Sequence, residues 1–210
     1  MNVCHELKTI LWLPPRTGSR TVAQLFNKYN FINTYTQRHI NNTEYAHELS
    51  IPVGCEDYDI ICTVRNPYSW LLSIWAWNNF YPDVAEKDRI SFSTFIENNQ
   101  YELTDISKNI LAAKITYPIR LESLREDLIN IPWFELTEEE LELWVNTNLN
   151  NSPELKRTKS NKLLTDYYSY YTKKEFQIVK TKFLPLFKKF GYILTALSAL
   201  FYLNASLNTA

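Results

Sequence analysis

Residues 11–21 read Leu-Trp-Leu-Pro-Pro-Arg-Thr-Gly-Ser-Arg-Thr, and no other stretch constrains the fold as tightly. An apolar run ends at Pro14 and Pro15, a short polar loop follows, and Val22, Leu25, Phe26 and Tyr29 then recur at helical spacing. That order predicts a strand over 9–13, a tight turn and a helix over about 20–30. Residues 59–64, Asp-Ile-Ile-Cys-Thr-Val, begin the same sequence of elements again. They run into Arg65, then Asn66, which suits an N-cap, and Pro67, which suits the first helical position; this helix is expected to reach about Phe80. Residues 117–121 supply a third candidate strand. Strands alternating with helices predict an α/β fold with a central, mainly parallel β-sheet flanked by helices. Ligands bind such sheets at the C-terminal edges of the strands, where both arginine-bearing turns fall.

The rest of the chain adds fewer constraints. Residues 31–58 are polar, rich in Asn and Thr, and are expected to form loop and short helix. Residues 137–140 and 172–175 each match a capping box that opens a helix. The second of these helices carries Phe176, Val179, Phe183 and Phe187, is expected to bend at Pro185, and ends near Gly191. No internal repeat or low-complexity linker interrupts residues 1–210, which are expected to form one domain. The apolar stretch 192–203 is about 12 residues long, short of the ~20 that span a bilayer, and is expected to pack as a final helix. Nothing at the N-terminus has the form of a secretory signal. The three cysteines, Cys4, Cys55 and Cys62, form no C-x-x-C pair and are expected to be free thiols in a reducing compartment. A soluble, cytoplasmic chain without a metal site is therefore expected.

The first loop names a ligand class. Backbone N–H groups at a helix N-terminus attract anions, and here Thr17, Ser19 and Thr21 add hydroxyls while Arg16 and Arg20 add guanidinium groups. A formal net charge of −1 gives no reason for bulk nucleic-acid affinity, so an anion site has to be built from local arginines. The Walker pattern G-x-x-x-x-G-K-[ST] is absent, since Gly18 is the loop's single glycine. G-x-G-x-x-G is absent as well, which disfavours an ATP-hydrolysing enzyme or a small-molecule kinase. Arg65 ends a strand and Ser73 lies two turns into the next helix, a second place suited to a phosphate.

Taken together, the loop 15–21 and the segment 65–73, Arg-Asn-Pro-Tyr-Ser-Trp-Leu-Leu-Ser, resemble the sulfotransferases that use 3′-phosphoadenosine 5′-phosphosulfate (PAPS). In that family a P-K-x-G-[ST]-[TS] loop binds the 5′-phosphosulfate and an R-[ND]-P-…-S segment binds the 3′-phosphate. The carbohydrate-type branch is also similar at His39 and the polar residues after it. Further similarities are residues 120–124 (Arg-Leu-Glu-Ser-Leu), 150–152 (Asn-Asn-Ser), 167–172 (Tyr-Tyr-Ser-Tyr-Tyr-Thr) and 190–192 (Phe-Gly-Tyr). Two positions depart from the pattern: Arg16 stands where a lysine is common, and Trp70 where an arginine often stands. The resemblance implies a P-loop-like sulfotransferase fold and a PAPS donor. It implies that Arg16, Thr17, Gly18, Ser19, Arg20, Thr21, Arg65 and Ser73 bind the donor, with no metal required. The acceptor would be a hydroxyl, of a glycan or another small molecule. Histidine suits the general base, and His39 is expected to fill that role, with Glu44 as the fallback; His47 lacks the flanking pattern and His5 precedes the first expected strand. Trp77 and Tyr81 are candidate acceptor contacts, and Lys156, Arg157 and Lys159 candidate nucleotide contacts. The alternatives are a protein that binds a nucleotide or glycan on the same fold without turnover, or a small-molecule kinase-like transferase.

Overall fold

The computed structural model describes residues 1–41, 44, 46–80, 85–98, 103–137, 139–140 and 167–192. Tyr81, residues 150–152, Lys156, Arg157, Lys159 and the apolar stretch from 193 onward lie outside the described residues. Two compact units divide the chain: Met1–Arg65 with Leu103–Leu149, and Asn66–Glu102 with Asn150–Ala210.

The first unit is built on a six-stranded sheet in the order β4-β3-β1-β2-β5-β6. Its strands are β1 (Asn2–Cys4), β2 (Thr9–Trp12), β3 (Ile32–Asn33), β4 (Arg38–His39), β5 (Asp59–Val64) and β6 (Tyr117–Arg120). β2, β5 and β6 run parallel, with Leu11 opposite Ile61 and Ile61 opposite Tyr117. β1 pairs antiparallel with both β2 and β3, and β3 with β4. The sheet is therefore mixed, which corrects the expected mainly parallel arrangement. The cause is local: residues 5–8 close a turn with Lys8 at φ 46°, and this folds β1 back along β2. The segment expected as loop and short helix likewise contributes β3 and β4. Asn33 Oδ1 organises their turn by accepting from the backbone N–H of Tyr35 at 2.9 Å.

Side chains alternate across this sheet as the pleat requires. On one face, Cys4, Leu11, Ile61 and Ile119 pack against Val22, Ala23, Leu25 and Phe26 of α1 (Ser19–Phe26) and Leu124 and Leu128 of α5 (Leu124–Leu128). On the other, Val3, Ile10 and Ile60 pack with Met1 and Cys55. Burying each large aliphatic or aromatic side chain contributes about 1.5–3 kcal/mol, so these two layers hold the strand ends in place. The turn after β6 is closed by Asp127, whose oxygens accept from Arg120 Nε at 2.9 Å and Nη2 at 2.7 Å. All three cysteines are buried, free thiols.

The second unit is helical among its described residues: α2 (Pro67–Phe80), α3 (Phe92–Glu97) and α6 (Lys173–Lys189), while α4 (Leu103–Ala112) belongs to the first unit. Asn66 caps α2 as expected, its Oδ1 accepting from Tyr68 N at 3.0 Å. Tyr68 stacks on Phe176 with ring centroids 4.3 Å apart, and burial pushes its phenol well above the ordinary range. α6 opens with the expected capping box between Thr172 and Glu175 and continues through Pro185. No helix among the described residues is long and apolar enough to cross a membrane.

Glu175 makes this capping box sensitive to pH. Burial alone would raise its carboxyl, but hydrogen bonds from Ser93 and Thr172 outweigh that and hold it below the usual carboxylate value. A carboxyl lowered on folding stabilises the chain above the unfolded value of about 4.3, and that contribution is lost as pH falls through the folded value. Acid unfolding followed by circular dichroism should therefore be less steep between about pH 5 and 3 in Glu175→Gln than in the wild type. Superimposable acid limbs would contradict this account of the capping box.

Candidate functional site

The loop between β2 and α1 is a folded turn held by its own hydroxyls. Pro14 and Pro15 end the strand because neither offers an N–H to a ladder. Thr17 Oγ1 donates to the Pro14 carbonyl at 2.6 Å and lies 2.6 Å from the Thr63 hydroxyl at the end of β5. Ser19 Oγ donates to the Pro14 carbonyl at 2.5 Å and reaches the Leu13 carbonyl at 3.4 Å. Thr17 and Ser19 thus shape the turn through their side chains. Arg20 is exposed and Thr21 half-buried at the start of α1.

Two residues of the turn are left-handed, Arg16 at φ 65° and Gly18 at φ 86°. Gly18 is the N-cap of α1, where no side chain caps the helix and no acidic residue stands in the first turn. The first N–H groups of any helix lack intrahelical partners, so this N-terminus presents uncapped donors with partial positive charge. Gly18→Ala should lower stability by about 1–2 kcal/mol through its left-handed backbone alone. The added Cβ would also lie 2.5 Å from Leu121 Cδ1, and rotating that side chain relieves the clash but not the backbone strain. Chemical denaturation checks this, and a wild-type midpoint would contradict it.

Arg65 is brought to the same turn. It is 8% exposed at the end of β5, and its Nη1 donates to the Arg16 carbonyl at 3.1 Å. The two arginine-bearing turns, 49 residues apart in sequence, therefore meet. Ser73 lies buried in α2 of the second unit, and Trp77 is half-buried in the same helix.

The histidines are distributed differently from the expectation. His39 sits on β4, its Nδ1 3.1 Å from Asn27 Oδ1 and 3.0 Å from the Ile40 carbonyl. Asn27 is the C-cap of α1, so His39 neighbours the end of that helix opposite the 15–21 turn; eight residues of helix span ~12 Å. The structure does not bring His39 to the turn. Glu44 pairs with Arg38 at 2.8 Å, and His5 bonds the Tyr58 hydroxyl at 2.9 Å beyond the other end of β1. His47 is the histidine that reaches the turn. Its Nδ1 donates to the Leu13 carbonyl at 2.5 Å, the carbonyl that Ser19 Oγ also approaches. A carbonyl only accepts, so Nδ1 carries a proton in this bond.

No protein-family model matches the chain, nor does any curated protein or solved structure. A helix start with no side-chain cap, the Arg65 guanidinium on the Arg16 carbonyl and the His47 ring on the Leu13 carbonyl form a set of donors suited to an anion. Among the described residues, no group of His, Cys, Asp and Glu has the arrangement of a metal site.

Proposed function

We propose that this chain is a PAPS-dependent sulfotransferase acting on a hydroxyl, most simply that of a carbohydrate. The observation that carries the reading is the meeting of Arg65 with the Arg16 turn at an uncapped helix N-terminus. A donor with phosphates at both the 5′ and 3′ positions needs two cationic places side by side. The turn and Arg65 are suited to those two places, and no carboxylate in the first turn of α1 opposes an anion there.

PAPS, when bound, supplies the sulfuryl group: the acceptor oxygen bonds to sulfur while the bond from sulfur to the 5′-phosphate oxygen breaks, and the electron pair leaves with the phosphate. The N–H groups at the start of α1 and the Arg16 guanidinium hold the 5′ end and stabilise the charge that grows on the leaving oxygen. Arg65 holds the 3′-phosphate, for which a planar guanidinium is better suited than an ammonium. We assign the base to His47 in place of His39, because His47 shares the Leu13 carbonyl with the first residue of α1. Its Nε2 takes the acceptor proton, and the Leu13 carbonyl steadies the imidazolium that results.

The test is transfer of radiolabelled sulfate from PAPS to a panel of mono- and oligosaccharides. Labelled glycan that falls at least about tenfold in Arg65→Ala at PAPS below saturation is the expected result. Binding of the nucleotide with no transfer to any hydroxyl in the panel would favour the non-catalytic alternative.

A further inference from the structure

We propose that Asn2 and Trp12 are positioning residues that fix the His47 ring at the anion turn; this rests on the reading of His47 as the proton acceptor. Asn2 is fully buried in β1, yet its carboxamide reaches a segment 44 residues away. Its Oδ1 accepts from Ala46 N at 2.8 Å, and its Nδ2 donates to the Ala46 carbonyl at 3.1 Å and to the Leu11 carbonyl at 2.8 Å. Both polar backbone groups of Ala46 are thereby set in register beside Leu11. One residue further along, the Trp12 indole Nε1 donates to the His47 carbonyl at 2.7 Å. One residue further again, the Leu13 carbonyl takes the ring itself.

Asn2, Trp12 and Leu13 thus hold residues 46 and 47, although 46 and 47 belong to no helix or strand. With the backbone fixed on both sides of the His47 Cα, the ring keeps only its two side-chain torsions, and the Nδ1 bond sets those. A buried amide and a buried indole N–H cost free energy unless hydrogen-bonded, so apolar residues would serve the core of this sheet with less risk. Placing such groups where they grip one short segment is what an accurately set base requires. A displacement of about 1 Å at a reacting group lowers rates on the order of 100-fold.

The test uses the full chain carrying Asn2→Ala or Trp12→Phe, the latter removing one N–H while keeping an aromatic ring. Each variant should lose at least about tenfold in kcat with KM for PAPS within about twofold. In a His47→Ala background neither should slow transfer further. Nitrogen NMR of the imidazole should show the Nδ1–H tautomer in the wild type and a mixture of tautomers in the variants. Folded variants with wild-type kcat and an unchanged tautomer overturn the proposal, and Trp12→Phe decides the matter if Asn2→Ala does not fold. Should the wild type transfer no sulfate from PAPS, the functional reading fails by itself. The NMR comparison then still judges the clamp, and an unchanged tautomer in the variants rejects it.

Discussion

Replacing His47 with alanine should lower the rate of sulfuryl transfer by about 10²–10⁴-fold, the range in which a positioned general base contributes, and leave PAPS affinity within about twofold. His39→Ala should leave both quantities unchanged. The contrast follows from position. His47 Nδ1 and Ser19 Oγ address one carbonyl at the start of the anion turn, whereas His39 pairs with the C-cap of α1. Proton removal matters in the transition state and little in the ground state, so the loss belongs to kcat. Steady-state kinetics on the two variants measure it. A slow His39→Ala enzyme beside an unaffected His47→Ala enzyme would reverse the assignment.

Arg65→Ala should have the second large effect, on binding. The guanidinium is buried and donates to the backbone of Arg16, itself held in a left-handed conformation that a non-glycine residue adopts at a cost. Removing it deletes a donor that braces the turn and, in the proposed function, the charge that holds the 3′-phosphate. Hydrogen bonds to charged groups are worth about 1.5–3 kcal/mol, so affinity for 3′-phosphoadenosine 5′-phosphate should fall by about 10- to 150-fold. Arg65→Lys should recover only part of this, because an ammonium lacks the planar fork that serves carbonyl and phosphate together. Calorimetric titration measures the loss. Wild-type affinity in Arg65→Ala would remove Arg65 from the nucleotide site.

The parallel half of the sheet was legible because its strands leave strong marks. β2 and β5 are largely apolar runs; Pro14 and Pro15, which lack an N–H for a ladder, end the first, and Asn66 with Pro67 announces α2 after the second. The antiparallel half left almost none. β3 and β4 are two residues each, too short for any alternation to register, and β1 is three residues ahead of a turn made by a left-handed Lys8. The same division runs through the site. Residues 15–21 and Arg65 stood out because their residue types lie at close spacing after two strands, and the structure brings the two segments together. The inward roles of Thr17 and Ser19 were hidden, since a hydroxyl that braces a carbonyl has the same sequence as one that meets a ligand. His47 was passed over because no neighbour in sequence marks it. Its place is set by Asn2, Trp12 and Leu13, which are distant along the chain and adjacent only once β1 has folded onto β2.

In the proposed function the Arg16 turn and Arg65 together hold a nucleotide bearing phosphates at both the 5′ and 3′ positions of its ribose. Calorimetric titration of the wild-type chain with 3′-phosphoadenosine 5′-phosphate, adenosine 5′-phosphate and ATP with magnesium tests it most directly. The doubly phosphorylated nucleotide should bind at least about tenfold more tightly than adenosine 5′-phosphate, a gap of about 1.4 kcal/mol, and should need no magnesium. Equal affinity for the two adenosine nucleotides, or a preference for ATP with magnesium, would contradict the account.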